Sequence, residues 1–224
     1  MSQAIELCRA VAFAGSFPLL AGVDLSIGSG EVVLIEGANG AGKTSLLRVL
    51  AGLIPVATGS IQVLGYDLLV ERRSVRTEVG LVGHQSFLYE DLTAHENLQF
   101  WMRRPAVQVI EAALERVGIT GRIARTPVAR LSTGQRRRAV LALLVARSPR
   151  LWLLDEPHAG LDTEGRELLD GLITEAQRSG ATVLISSHEI DHVSSFATRT
   201  VSMSGGRINS SDGGNSTEDV HDVS

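Results

Sequence analysis

A segment near the start of the chain has the residue types and spacing of a phosphate-binding loop. Residues Gly37-Ala38-Asn39-Gly40-Ala41-Gly42-Lys43-Thr44 match the pattern G-x-x-x-x-G-K-[ST] at every fixed position. Glycines let backbone N–H groups turn toward phosphate oxygens, and the N-terminus of a following helix adds the positive end of its dipole. The Lys43 ammonium can reach the β- and γ-phosphates, and the Thr44 hydroxyl can bind Mg²⁺. With Ser45 beside them, these residues predict a nucleotide site.

The same segment contains the one lysine of the chain. Of the 21 basic residues, 20 are arginine and one is Lys43. A compact ammonium fits a loop that closes around phosphate oxygens, whereas the wide planar fork of a guanidinium does not. A general bias toward arginine therefore does not account for this lysine, and phosphate binding does.

A second segment places two acids at the end of a predicted strand. Residues Leu151–Glu156 (LWLLDE) are an apolar run that ends in Asp155 and Glu156. The carboxyl end of such a strand lies beside the phosphate-binding loop in an open α/β sheet, so Asp155 can hold Mg²⁺ there, directly or through water. Glu156 can then act as the general base that polarises the attacking water.

The phosphate-binding loop and the Asp155-Glu156 pair must be positioned by the strands and helices around them. Short aliphatic runs alternate with helical patterns along the chain, and this alternation predicts an α/β fold. We expect strands at 31–36, 78–83, 151–155 and 181–186, a helix at 44–53 after the phosphate-binding loop, and shorter strands within 4–28 and at 60–66. The shorter strands are expected to form an antiparallel sheet at one side of the core.

Between about residues 87 and 147 the pattern changes to helices. Thr93 and Glu96 have the spacing of a capping box, which predicts that a helix starts there and runs through 97–103. Further helices are expected at 106–117 and 134–147. The block therefore predicts a helical subdomain inserted into the α/β core.

Composition excludes several classes of protein. The 224 residues carry a net charge of −4, and the longest aliphatic run, Ala139–Ala146, is far shorter than the ~20 residues of a membrane-spanning helix. The N-terminus lacks the features of a secretory signal, and the single Cys8 permits no internal disulfide. We therefore expect a soluble cytoplasmic domain at 1–204. Residues 205–224, rich in glycine, serine and acids, are expected to be a disordered tail.

A third segment resembles the signature of the ATP-binding-cassette (ABC) ATPases. Leu131-Ser132-Thr133-Gly134-Gln135 precedes the Asp155-Glu156 pair as it does in that family, although Thr133 stands where glycine is commonest. Three arginines follow, Arg136–Arg138, and we expect them to pack and pair at the start of their helix. The resemblance implies a P-loop NTPase core with an antiparallel β subdomain and an inserted helical subdomain.

Other elements of the family occur in order along the chain. By resemblance, Gln85 joins the shell of Mg²⁺ and water, and Ala159–Asp162 crosses a dimer interface. His188 is similar to the switch histidine that contacts the γ-phosphate, and Phe13 is expected to stack on adenine, with Phe17 as the competing aromatic. His158 matches no element of the family pattern.

The resemblance implies an ATPase that works as a head-to-tail homodimer. Each ATP, with Mg²⁺, would lie between the Lys43 loop of one subunit and Ser132–Gln135 of the other. Integral membrane transporter subunits would be the partners, contacted near residues 86–100, at the cytoplasmic face of a bacterial cell membrane. No nucleic acid is expected.

Two further segments resemble one group within the family. Val82-Gly83-His84-Gln85 and Leu92–Phe100 are similar to the ATP-binding subunit of the bacterial haem exporter used in cytochrome c maturation. That resemblance implies ATP-driven haem export or release of a haem-loaded chaperone. The alternative is an exporter of drugs, lipids or polysaccharides, and a soluble nucleotide-dependent clamp is the third hypothesis.

Overall fold

Strands and helices alternate along most of the chain in the computed structural model, which describes residues 2–83, 86–103 and 105–209. The strands are β1 (Gln3–Ala14), β2 (Phe17–Gly28), β3 (Val32–Glu36), β4 (Val56–Val63), β5 (Tyr66–Asp67), β6 (Val79–Val82), β7 (Leu151–Asp155), β8 (Thr182–Ser186), β9 (Arg199–Ser204) and β10 (Arg207–Asn209). The helices are α1 (Lys43–Leu50), α2 (Ala94–Trp101), α3 (Val107–Arg116), α4 (Gly121–Ala124), α5 (Thr133–Arg147), α6 (Thr163–Arg178) and α7 (Ile190–Ser194).

The central sheet has six strands in the order β10-β9-β3-β8-β7-β6. Strands β9, β3, β8, β7 and β6 are parallel, and β10 pairs with β9 in the antiparallel direction. The residues of β7 and β8 are all buried, as expected for parallel strands that helices cover on both faces. The carboxyl ends of β3 and β7 lead into the phosphate-binding loop and the Asp155-Glu156 pair, which brings these two segments to one edge of the sheet.

A four-stranded antiparallel sheet, in the order β2-β1-β4-β5, lies beside the central sheet. Strands β1 and β2 have 12 residues each and are therefore longer than the short strands predicted within 4–28. The register of β1 against β2 shifts between Leu7 and Ala10, where Arg9 has a φ of 46°. This bulge interrupts the alternation of inward and outward residues without ending the strand, so the sequence pattern resembles that of several shorter strands.

In the described part of the predicted helical block, the α-helices are α2, α3, α4 and α5. Helix α2 begins with the predicted capping box, since the Thr93 hydroxyl accepts from the Glu96 backbone and the Glu96 carboxylate accepts from the Thr93 backbone. The Glu96 carboxylate accepts from both the backbone N–H and the hydroxyl of Thr93, and these two bonds hold the pKa of Glu96 below its usual value. The helix ends at Trp101, two residues earlier than predicted. None of the helices in the described ranges is long and apolar enough to cross a bilayer.

Residues 205–209, predicted as the start of the tail, instead continue the folded body. Strand β10 adds to the edge of the central sheet, and the turn before it makes two backbone hydrogen bonds. The Gly206 N–H donates to the Ala41 carbonyl, and the Gly206 carbonyl accepts from Ala21, each at 2.8 Å. Residues 210–224, the rest of the predicted tail, lie outside the described residues.

Candidate nucleotide-binding site

Three glycines of the phosphate-binding loop adopt backbone conformations that other residues rarely reach. Gly37, Gly40 and Gly42 have φ values of 146°, 80° and 109°. A Cβ atom added at Gly37 would lie 2.2 Å from the backbone oxygen of Met203. Both the dihedral angle and the close approach of β9 therefore require glycine at the first fixed position of the motif.

Lys43 is the first residue of α1, and its side chain folds back over the loop. The ammonium donates to the carbonyl oxygens of Gly37 at 2.5 Å and Ala38 at 3.3 Å, and the residue is only 7% exposed. An ammonium has three donors, so a third remains for a phosphate oxygen. The geometry suits a cation that is held in place before a nucleotide binds.

The two described candidate Mg²⁺ ligands are in direct contact. The Thr44 hydroxyl donates to Asp155 Oδ2 at 2.8 Å, and the Ser186 hydroxyl donates to Asp155 Oδ1 at 2.5 Å. The Thr44 hydroxyl and the Asp155 carboxylate lie together and form a set of oxygen ligands that fits Mg²⁺, which prefers oxygen. The third predicted ligand, Gln85, lies outside the described residues.

Sequence reasoning did not identify Ser186 as part of this site. In the parallel register of β7 and β8, Asp155 lies beside Ser186, so the hydroxyl reaches the carboxylate from the neighbouring strand. The signal available in the sequence was the position of Ser186 at the end of the predicted strand 181–186.

The structure brings Glu156 and His188 together next to Asp155. The His188 backbone N–H donates to Glu156 Oε2 at 3.2 Å, and the ring Nε2 lies 3.3 Å from Oε1. Glu156 has a φ of 47°, a conformation of the left-handed region that costs free energy in a non-glycine residue. A carboxylate fixed in this way, beside an imidazole, can accept a proton from water.

Arg137 connects the loops on which these groups lie, a role that sequence reasoning did not assign. Its guanidinium donates to the carbonyl oxygens of Gly83 at 2.7 Å, Glu156 at 2.8 Å and Pro157 at 3.2 Å. Burial lowers the pKa of Arg137, and the charge of Asp155 opposes that effect. The side chain therefore fixes the end of β6 and the segment after β7 to the start of α5.

The predicted signature segment caps α5. The Ser132 hydroxyl accepts from the Gln135 backbone, and the Gln135 side chain accepts from the Ser132 backbone. Ser132 and Thr133 are exposed. Thr133 lies against Gly160, because a Cβ added at Gly160 would be 3.5 Å from the Thr133 methyl group. Within the described part of the chain, no hydrogen bond joins Ser132–Gln135 to residues 37–44, so the fold does not bring these two candidate segments together in one chain.

The loop beneath the signature continues into α6. Asp162 caps this helix by accepting from the Gly165 N–H at 2.8 Å, and that bond is the main reason why the pKa of Asp162 is lowered. Arg138 lies 3.4 Å from Asp162 and 3.3 Å from Glu164. Arg138 therefore forms ion pairs with these two acids, which agrees with the predicted packing and pairing of Arg136–Arg138 at the start of their helix.

Both candidate aromatic residues lie at the turn end of the β1–β2 hairpin. Phe13 pairs with Pro18 across the hairpin and Phe17 begins β2; the two residues are 43% and 74% exposed. Strand β2 then passes the phosphate-binding loop, where the Leu19 carbonyl lies 3.1 Å from a Cβ added at Gly42. Phe17 therefore lies on the strand that contacts the loop, and Phe13 lies on the strand paired with it.

Comparisons with known proteins agree with this geometry. The family model described as ABC transporter matches residues 20–159. A cytochrome c biogenesis ATP-binding export protein CcmA from Cupriavidus pinatubonensis is 37% identical over 180 residues, which is 79% of each chain. The protein of the same name from Xanthomonas campestris pv. campestris is 41% identical over 80% of this chain and 85% of that one.

Solved structures give the same fold. A dimeric ATP-binding cassette in a post-hydrolysis state, bound to ADP and Pi, has a TM-score of 0.84 and 25% identity over 94% of this chain and all of that one. A nucleotide-free cassette from an ABC transporter has a TM-score of 0.80 and 22% identity over 96% of this chain and 92% of that one. The predicted P-loop core with its antiparallel and helical subdomains is confirmed, and the chain belongs to the ATP-binding-cassette transporter family, as an ATPase.

Proposed function

We propose that this chain is the ATP-hydrolysing subunit of an exporter that serves cytochrome c biogenesis. The observation that supports the proposal best is the 37–41% identity to cytochrome c biogenesis ATP-binding export proteins over about four fifths of the chain. The resemblance of Val82–Gln85 and Leu92–Phe100 to haem-exporter subunits points the same way. Hydrolysis would then drive haem export or the release of a haem-loaded chaperone.

The hydrolytic reaction is proposed to use the groups that converge after β3, β7 and β8. Lys43 and the loop N–H groups would bind the β- and γ-phosphates. Thr44, Asp155 and Gln85 would hold Mg²⁺, which would neutralise charge on the phosphate oxygens. Glu156 accepts a proton from the attacking water as the water bonds to the γ-phosphorus and the bond to the β-phosphate oxygen breaks. His188 orients that water and contacts the γ-phosphate.

A second copy of the chain is proposed to complete each nucleotide site. Ser132 and Thr133 are exposed, and in the described structure they make no hydrogen bond to residues 37–44. Both observations support contact with a nucleotide that is bound to another subunit. A head-to-tail dimer would place Ser132–Gln135 against the γ-phosphate and the Ala159–Asp162 loop across the interface. Dimeric relatives of the same fold are known.

A group of exposed aromatic rings is proposed to contact the membrane subunits. Tyr89, Phe100 and Trp101 are 48%, 55% and 40% exposed, and their rings touch, with centroids 4.9 Å apart for Tyr89 and Phe100. The buried Asn97 fixes this group, since it accepts from the Tyr89 N–H at 2.7 Å and donates to the Tyr89 carbonyl at 3.0 Å. Aromatic residues that are exposed together commonly mark a protein interface. The chain would then act as a peripheral protein at the cytoplasmic face of the membrane.

Gene deletion followed by complementation tests the proposal. A deletion strain should lose covalently bound haem in its c-type cytochromes, as detected by peroxidase stain after denaturing electrophoresis. The intact gene should restore the stain, Glu156→Gln should not, and the matched exposed control Glu167→Gln should. A normal cytochrome pattern in the deletion strain would contradict the proposal and favour a drug, lipid or polysaccharide exporter.

Sedimentation separates a transport subunit from a soluble clamp. Expressed with the membrane proteins encoded beside its gene, the chain should pellet with membranes. Replacement of Phe100 and Trp101 by alanine should reduce the pelleted fraction without loss of folding, since both side chains are largely exposed. A chain that stays wholly in the supernatant beside those partners would favour the clamp.

A further inference from the structure

Two histidines converge on one carboxylate outside the nucleotide site. His158 Nε2 lies 2.9 Å from Asp170 Oδ1, and His192 Nε2 lies 2.9 Å from Asp170 Oδ2. The two imidazole rings stand edge to face with centroids 5.0 Å apart. One potential ligand atom from each of the three residues lies within 4.8 Å of the others. Over residues 2–83, 86–103 and 105–209 this is the one such group of histidine, cysteine or acidic side chains. We call it the His–Asp–His cluster.

The cluster joins three separate elements around the catalytic edge of the sheet. His158 follows β7 two residues after Glu156, Asp170 lies on α6, and His192 lies on α7, which follows His188. No local sequence pattern brings the three together; the packing of α6 and α7 does. The segments that follow the proposed base and the switch histidine are therefore held to the same carboxylate.

The burial of the cluster is graded from the core to the surface. The side chains of His158, Asp170 and His192 are 2%, 23% and 42% exposed. The deepest histidine is not fully satisfied, because its Nδ1 is buried without a hydrogen-bond partner in the described structure. Its other nitrogen, Nε2, is the atom that faces Asp170. The exposed side of His192 gives a route from solvent to the Asp170 carboxylate.

We propose that the His–Asp–His cluster binds a divalent transition metal of the zinc class. Two imidazole nitrogens and one carboxylate oxygen are ligands that suit Zn²⁺ and its neighbours in the first transition row, whereas Mg²⁺ prefers oxygen alone. Metal–ligand bonds of about 2.0–2.2 Å in a tetrahedron place neighbouring ligand atoms about 3.3–3.5 Å apart. Each imidazole Nε2 lies 2.9 Å from a different oxygen of Asp170, and one ligand atom from each residue lies within 4.8 Å of the others. Rotation of the side chains therefore brings two nitrogens and one oxygen to a common metal ion. Water from the His192 side would complete the coordination.

A zinc titration of the full chain, free of nucleotide and Mg²⁺, tests the proposal. Competition with a chromophoric chelator should reveal one site per chain, and His192→Ala and Asp170→Asn should each weaken it at least ~10-fold. Because the His192 side chain is 42% exposed, its variant should keep the fold, and circular dichroism checks this. His95→Ala, which removes a histidine outside the cluster, should bind zinc like the original chain.

Thermal unfolding gives a second measurement on the same variants. Zn²⁺ should raise the melting temperature of the original chain and of His95→Ala, because a ligand that binds only the folded state stabilises it. It should not raise that of His192→Ala. The proposal is overturned if the original chain binds no zinc, as expected of a purely hydrogen-bonded cluster. It is equally overturned if His192→Ala binds zinc as tightly, as expected if zinc is held elsewhere, such as at the exposed Cys8.

Discussion

His188 contacts both oxygens of the Glu156 carboxylate, with its backbone N–H at 3.2 Å from Oε2 and its ring Nε2 at 3.3 Å from Oε1. The contact joins the end of β7 to the segment after β8. The chain thus places its proposed base beside its proposed switch histidine without help from a second subunit.

Replacing Glu156 with glutamine should separate nucleotide binding from hydrolysis. The amide keeps the shape of the side chain but cannot take a proton from water, so the turnover rate should fall by about 10²–10⁴-fold. ATP affinity should change little, and ATP-bound dimer should accumulate. Phosphate release and gel filtration measure these effects, with Glu167→Gln as the control. Hydrolysis at the original rate in Glu156→Gln would rule out the base assignment.

Lys43→Ala should lose most of its affinity for ATP, because the loop would lose its one ammonium. Lys43→Arg should also bind weakly, since a guanidinium cannot make the same close contacts with Gly37 and Ala38. Titration with a fluorescent nucleotide measures both. The exposed Arg178→Ala should bind like the original chain, and unchanged affinity in Lys43→Ala would contradict the phosphate-binding role.

Gly37→Ala and Gly171→Ala should change the free energy of unfolding in opposite directions. At Gly37 the new Cβ would meet the Met203 backbone oxygen at 2.2 Å in a left-handed conformation, which should destabilise the protein by about 2–4 kcal/mol. At Gly171, within α6, nothing lies within 4 Å of the new atom, so the better helix propensity of alanine should stabilise by about 0.5–1 kcal/mol. Urea denaturation measures both. Equal effects at the two sites would mean that the loop can relax around the added methyl group.

Arg137→Met should lower both stability and activity. It removes the donors to three carbonyl oxygens, of which the Glu156 oxygen still accepts from the Ala159 N–H at 3.3 Å. The loss of these hydrogen bonds should lower the free energy of unfolding by about 2–4 kcal/mol. Because two of the three acceptors are the Glu156 and Pro157 carbonyls, the turnover rate should fall even where the protein remains folded. Denaturation and phosphate release below the melting temperature separate the two effects. The exposed Arg130→Met is the control, and full activity in folded Arg137→Met would contradict a positioning role.

Features set by local sequence were predictable. The motif of residues 37–44 defines both the loop and the helix after it, and the capping box of Thr93 and Glu96 fixes where α2 begins. The aliphatic runs marked β7 and β8 to within one residue, because a fully buried parallel strand needs an unbroken apolar run.

Features set by tertiary contacts were not predictable. The three acceptors of Arg137 come from two different loops, and the His–Asp–His cluster depends on how α6 and α7 pack. The bulge at Arg9 hid the length of β1, because a single added residue reverses the alternation that marks a strand. Polar residues with long-range partners give no periodic signal in a single sequence.

The turn before β10 has a practical consequence for shortened versions of the protein. Gly206, in the turn between β9 and β10 of the central sheet, is hydrogen-bonded to Ala41 in the phosphate-binding loop and to Ala21 in the antiparallel sheet. This one residue therefore connects the loop with both sheets. A chain cut after Ser204, where the composition turns polar, would lose these two hydrogen bonds and the edge strand β10. Truncation to remove the acidic end should therefore leave Asn209 in place, and a cut at 204 should weaken ATP binding although no residue of the motif is changed.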